Sequence, residues 1–187
     1  MLHKIDFTLD DVLREESYIT PASTYRDITS TSIEELNKNL KISNPLYFKY
    51  GHSNQKKLDR EKLNKYLLTN FLTKNYGGEW NISGSFKYEK GDFMGWHTNN
   101  NNQGIRCYFA YSFEDNSNIF RYRNPYTKKV IDSYDKKGWN IRLFQINKEN
   151  PFWHCVIANS DRYSFGFNNK NPSKKLMWDV KLCYQSQ

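Results

Sequence analysis

Two of the four histidines stand where they could do chemistry. His97 closes Phe93-Met94-Gly95-Trp96-His97, where an extended run meets an Asn-rich loop. His154 lies inside Phe152-Trp153-His154-Cys155-Val156, among aromatics. The two are 57 residues apart, so they belong to different strands. Neutral imidazole is the commonest biological metal ligand, and two strand-borne histidines can converge on one ion. The competing reading is a pair of partly buried histidines satisfied by their neighbours. His3 and His52 sit in terminal and loop contexts and receive no role.

Eight residues after His154 comes Arg162-Tyr163-Ser164. Residues i and i+2 of a strand share a face, so Arg162 and Ser164 point the same way. A planar guanidinium beside a hydroxyl suits a small carboxylate, which the guanidinium can bind bidentately. Tyr88, nine residues before His97, can add a phenolic hydrogen bond. A metal flanked by a carboxylate clamp describes a site for a keto acid that chelates iron.

Other polar and aromatic residues have blander readings. Cys107, Cys155 and Cys183 are odd in number, widely spaced and without a C-x-x-C, which argues against a disulfide framework and a zinc ribbon. They read as half-buried free thiols of a reducing, cytoplasmic compartment. Trp96, Trp139, Trp153, Tyr108, Phe109 and Tyr111 read as barrel core, with substrate stacking by Trp96 the alternative. Arg121 and Arg123 share one strand face, read as a solvated edge or as a contact to an anionic substrate.

The elements that must position these groups follow from the pattern. The first half reads mostly helical. Thr31-Ser32 before Glu34-Glu35 predicts a capped helix to about residue 40, and Asn44-Pro45 opens an extended piece, residues 46–51. Leu63, Leu67 and Phe71, with Tyr66 beside them, predict a helix over 55–75, ended by Gly77-Gly78. After residue 78 the period changes. Strands are predicted near 79–89, 104–113, 118–123, 128–133, 139–146, 152–159, 162–167 and 176–184. Asn99 to Asn102, then Gln103-Gly104, is a loop. The expectation is one mainly β domain over 1–187: an N-terminal helical buttress over 1–78 and a jelly roll or barrel over 79–187. No strand–helix–strand alternation occurs, which disfavours a parallel α/β fold.

Composition bounds the function. At 37% hydrophobic and 17% aromatic residues, the 187-residue chain is globular and large enough for one core. No apolar run is long enough to span a membrane, and the N-terminal residues lack the apolar stretch of a secretory signal. The net charge of +8 is compatible with a polyanionic partner. No long Lys/Arg run marks a nucleic-acid footprint, and Asn, Lys, Tyr and Phe, all abundant, share AT-rich codons, so direct nucleic-acid binding is not favoured.

From Phe86 to Phe167 the chain resembles the Fe(II)/2-oxoglutarate-dependent oxygenase superfamily, in its prolyl-hydroxylase-like branch. Tyr88-Glu89-Lys90-Gly91 stands at that branch's Tyr-x-x-Gly, and His97-Thr98-Asn99 at its His-x-Asp. Residues 137–144 resemble the glycine-led strand before the distal histidine; His154 matches that histidine, and Arg162 with Ser164 the clamp. The resemblance implies a cupin-like double-stranded β-helix that converts 2-oxoglutarate to succinate while oxidising an unidentified primary substrate, most simply by hydroxylation. It implies His97, His154 and Asn99 around Fe(II), with Tyr88, Arg162 and Ser164 on 2-oxoglutarate.

The departure is Asn99, where the family carries Asp. A carboxylate offers Fe(II) an anionic oxygen donor; an amide oxygen is a neutral donor of the same shape. Asn99 can ligate weakly, leave an open position as halogenase members do, or mark a site that kept binding and lost catalysis. Asp92 and Asp115 are the nearest acids in sequence, at the wrong spacing to substitute. Two other classes compete: a non-catalytic cupin-like module binding metal or carboxylate, and a basic nucleic-acid-binding β-barrel whose affinity would fall steeply with salt.

Overall fold

The computed structural model describes residues 4–13, 18–21, 56–99 and 102–185. The chain is mainly β. Among the described residues the strands are β1 (Tyr18–Pro21), β2 (Lys56–Leu58), β3 (Asn81–Tyr88), β4 (Phe93–His97), β5 (Gly104–Ser112), β6 (Asn118–Arg123), β7 (Val130–Tyr134), β8 (Gly138–Ile146), β9 (His154–Ala158) and β10 (Arg162–Asn169). The helices are α1 (Leu9–Val12), α2 (Lys65–Tyr76) and α3 (Lys174–Gln185).

Two antiparallel sheets result. The larger runs β1-β2-β3-β10-β5-β8 and the smaller β4-β9-β6-β7. Cross-strand partners share a face, so register decides what points where. Tyr108 is opposite Gly166 and Arg142, Arg106 is opposite Asn168 and Phe144, and Arg162 is opposite Tyr88 and Ser112. All of these lie on one face of the larger sheet, the face turned to His154 of the smaller one, because Tyr108 and Phe144 touch the His154 ring.

The opposite face of the larger sheet is covered by the helical layer. Phe109 meets Phe71 of α2 at 5.7 Å, and Trp139 meets Phe7 at 5.4 Å and donates its indole N–H to the Phe7 carbonyl. This explains why β10 is buried along its whole length instead of alternating. Burying Phe109, Phe165 and Phe167 completely contributes roughly 1.5–3 kcal/mol each. A separate cluster of Phe93, Trp96, Cys155 and Ile157 packs on the outer face of the smaller sheet.

Several elements differ from expectation. The predicted strand over 176–184 is helix α3. Leu176 and Val180, both buried, follow helical spacing, and the Ser173 hydroxyl accepts from the Leu176 N–H as an N-cap. The predicted helix over 55–75 is shorter: Lys56–Leu58 joins the larger sheet, and the helix begins at Lys65. Its buried face is Leu68, Phe71 and Leu72, while Tyr66 is 68% exposed. The segment before residue 78 is therefore not wholly helical, since β1 and β2 lie in it. Strand β4 is the extended run that His97 closes; it has no bounds of its own among the expected strands, because Gly95 and the turn at Glu89–Asp92 break its pattern. The helix predicted to residue 40 and the extended piece 46–51 lie outside the described residues.

Strand β5 opens on a glycine at which any side chain would be strained. Gly104 has φ +127°, and a Cβ there would sit 2.3 Å from the Asn169 carbonyl oxygen. This close approach sets the start of β5, and through it the positions of Arg106 and Tyr108.

Candidate active site

His97 and His154 are cross-strand partners between β4 and β9. The register shifts between Met94 and His97, and that irregularity brings the two imidazoles together. Their ring centroids are 4.1 Å apart at a 54° tilt. His97 is 8% exposed and His154 is fully buried.

The tautomers follow from the hydrogen bonds. His97 Nδ1 lies 2.8 Å from the Gly95 carbonyl oxygen, and His154 Nδ1 lies 3.2 Å from the Phe152 carbonyl oxygen. A carbonyl only accepts, so each Nδ1 carries a proton, and in a neutral ring the lone pair is then on Nε2. The Nε2 of His154 is buried without a hydrogen-bond partner. Burial, then the neighbouring His97, then Arg106 push the His154 pKa well below its ordinary value, despite the opposing Phe152 bond. His154 is thus held as a neutral imidazole, the form that ligates metals. Metal–nitrogen bonds of about 2 Å allow one ion to reach two rings this close.

The third donor is less favourable. Among the described residues, no group of three His, Cys, Asp or Glu can hold a metal ion. Asn99 follows β4, and its amide N–H donates to the Tyr108 hydroxyl at 3.2 Å, so only its amide oxygen is left to face an ion. Asp92 accepts from the Glu89 N–H and Asp115 from the Lys137 N–H; both acids are turn residues away from the pair.

Around His154 the interior is aromatic. Phe144, Phe120 and Phe152 have centroids 5.3, 5.4 and 5.5 Å from its ring, and Tyr108 is 5.9 Å away. These rings exclude water and strengthen any electrostatic interaction made there.

Arg162 opens β10 and is completely buried. Its Nε donates to Asp135 Oδ2 at 2.7 Å, and its guanidinium lies 5.6 Å from the centre of the Tyr88 ring. Its Nη1 and Nη2 are buried without hydrogen-bond partners. Ser164 lies two residues along on the same face and is 8% exposed. Arg162 is level with Ser112 and the histidine-contacting Tyr108 with Gly166, four residues along, so clamp and pair are separated by roughly 13 Å of strand. The structure brings Tyr88, Arg162 and Ser164 to one end of the interior, and His97, His154 and Asn99 to the other.

Asp135 is the residue sequence reasoning missed. It lies just past β7, fully buried, and also holds Arg142 at 2.6 Å. Burial raises its pKa, but attraction from Arg162 and Arg142 and their hydrogen bonds more than offset this, and the carboxyl stays below its ordinary value. In sequence it stands in Tyr134-Asp135-Lys136-Lys137-Gly138, which reads as a solvated turn.

Two secondary expectations change and one holds. Arg121 is not a solvated edge: β6 is an internal strand, and Arg121, 5% exposed, pairs with Asp132 at 2.8 Å. Trp96 is core, as its main reading expects, packed with Phe93, Cys155 and Ile157. Cys107 and Cys155 are wholly buried, not half-buried, and burial raises both thiol pKa values, that of Cys155 to about 12.

No family model and no curated protein matches the chain. Among solved structures it is similar to an oxidoreductase of the 2OG-Fe(II) oxygenase family from Burkholderia pseudomallei. The identity is 14% and the TM-score 0.42, over 57% of this chain and 53% of that one. The chain thus spans about half the length of that protein. Among the described residues no helix is long and apolar enough to cross a membrane.

Proposed function

We propose that the chain is an Fe(II)- and 2-oxoglutarate-dependent oxygenase, acting as a hydroxylase, with Asn99 in place of the usual metal-binding Asp. The two sheets would form a double-stranded β-helix, a jelly roll, and the antiparallel orders β3-β10-β5-β8 and β4-β9-β6-β7 support this reading.

The observation that carries the proposal is the histidine pair. Two imidazoles from different strands meet at 4.1 Å, each with Nδ1 tied to a backbone carbonyl, and His154 Nε2 is buried with nothing to bond. A metal would satisfy that nitrogen. His97 and His154 would hold the iron, with the Asn99 amide oxygen as third donor. Arg162 would take a 2-oxoglutarate carboxylate on Nη1 and Nη2, which otherwise lack partners, while Asp135 fixes its Nε. Tyr88 and Ser164 would flank that carboxylate. Iron and 2-oxoglutarate together supply the oxidising chemistry, with succinate as coproduct. The protein's part is to position the groups and to exclude water with Phe120, Phe144 and Phe152.

A binding module without turnover is the second reading. The neutral donor at 99, already engaged with Tyr108, favours it. Metal analysis of the purified full-length chain, followed by a succinate assay with Fe(II), 2-oxoglutarate and no primary substrate, separates the two. Iron retention with succinate release supports the oxygenase. Fe(II) binding without succinate supports the module, and no Fe(II) binding even with 2-oxoglutarate present refutes the oxygenase.

A further inference from the structure

One buried cation has no role in this account. Arg106, on β5, is 3% exposed and faces the interior beside Tyr108, opposite Phe144 and Asn168. The other buried arginines have acids: Arg162 and Arg142 share Asp135, and Arg121 has Asp132. Among the described residues Arg106 has none, and its Nε is buried without a hydrogen bond. Arg162 and Arg142 thus share one interior aspartate, while Arg106 has no acid among the described residues.

An uncompensated buried guanidinium is costly to the fold, so its retention calls for a counter-charge that arrives from outside. Its position says which. Arg106 lies at the histidine end of the strands, two residues from Tyr108, whose hydroxyl meets Asn99 and whose ring meets His154. Arg162 is six residues away along the paired strand, at the far end. A carboxylate held by Arg162 lies too deep to neutralise Arg106.

We infer that Arg106 is a second anion anchor, which binds a carboxylate of the primary substrate beside the histidine pair and so makes that substrate an organic acid. This rests on Arg162 as the cosubstrate's clamp. A carboxylate there takes two donors of the fork in fixed geometry and leaves the rest of the molecule directed at the pair.

The test uses arginine side-chain Nε–Hε NMR spectra of the full chain with Zn(II), which is redox-inert. Arg106→Gln and Arg162→Gln assign the two resonances. 2-Oxoglutarate is added to saturation, then glutarate, with glutaramide as the uncharged control. Saturable movement of the Arg106 resonance by glutarate but not glutaramide, after 2-oxoglutarate has moved only Arg162, is the expected result. In Arg106→Gln the glutarate affinity should fall about 100-fold or more. An Arg106 resonance that ignores glutarate overturns the inference. So does one that 2-oxoglutarate moves while Arg162 stays still, since Arg106 would then be the cosubstrate's own clamp. If 2-oxoglutarate moves neither resonance, the oxygenase reading fails, and glutarate alone still tests Arg106.

Stability provides an independent check. Arg106→Met removes an unpaired charge and fills similar volume, so the ligand-free melting temperature should hold or rise. A fall of about 5 °C or more would make Arg106 a structural residue and overturn the inference.

Discussion

Asp135→Asn is the sharpest single perturbation of this interior. Asp135 is fully buried and is the shared counter-ion of Arg162, at 2.7 Å, and Arg142, at 2.6 Å. The substitution keeps the shape and removes the charge. Breaking a buried ion pair from one side costs about 3–5 kcal/mol. Here one acid serves two cations, so the upper figure, about 5 kcal/mol, applies. That is comparable to the lower end of the 5–15 kcal/mol net stability of a typical domain. For a chain of this size it lowers the melting temperature by roughly 10–20 °C.

Thermal unfolding at neutral pH, followed by circular dichroism, reads the effect. Asp132→Asn is the control, because its ion pair with Arg121 is 28% exposed on the acid side and is worth less. A loss in Asp135→Asn of under about 5 °C, or no larger than in Asp132→Asn, would refute the counter-ion argument. The sign of the acid dependence follows. Asp135 has a lowered folded-state pKa, so its contribution is present above the unfolded-state value of about 3.9 and is lost as pH falls through the folded value. The variant should lack that acid-side loss. 2-Oxoglutarate should also raise the melting temperature of the variant by more than that of the wild type, because its carboxylate replaces the charge missing at Arg162.

His97→Ala or His154→Ala should abolish Fe(II) binding in anaerobic titration; unchanged affinity in both would remove the oxygenase reading. Arg162→Leu should keep the metal and lose 2-oxoglutarate affinity by on the order of 3 kcal/mol, measured by titrating the metal-loaded protein. Gly104→Ala should lower the urea midpoint, since its Cβ meets the Asn169 carbonyl at 2.3 Å at a φ of +127°; an unchanged midpoint would mean that β5 can shift its start. Asn99→Asp should tighten iron binding by adding an anionic donor. Asn99→Ala should weaken it about tenfold if the amide is a ligand and leave it unchanged if that position is open.

The strands were legible where local chemistry and topology agree. Residues 104–112 and 118–123 carry β-branched and aromatic residues between polar turns, and both are strands as expected. His97, His154 and Arg162 could be singled out from local chemistry alone, because imidazole ligates metals and a guanidinium two residues from a serine on a strand suits a carboxylate. What failed did so for stated reasons. Met177-Trp178 reads as strand-forming, but Ser173 caps the segment and Leu176 and Val180 repeat at helical spacing. The start of the 55–75 region has helix-forming residues, yet Lys56–Leu58 pairs with β3, a long-range choice that no local window contains. Asp135 was missed because a turn aspartate between tyrosine and lysines looks solvated; only the folded chain shows that two arginines from other strands close over it.

On the proposed oxygenase reading, in which Asn99 stands for a metal-binding Asp, charge balance links position 99 to Arg106. With Asp at 99, the histidine end would hold one negative charge against Arg106. With Asn it holds none, and a divalent cation would add to the positive surplus. A ligand-free protein of this kind should therefore bind metal weakly and anions readily. Each anion then makes the metal easier to bind, because attraction in a low-dielectric interior is screened little. By linkage the metal strengthens the anion to the same degree. The Asn would shift the missing negative charge from the protein to its ligands, so that iron is held firmly only when the acids are present. The physical meaning of the substitution is then in the order of assembly: affinity for Fe(II), measured without and with 2-oxoglutarate, should differ far more in this chain than in Asn99→Asp.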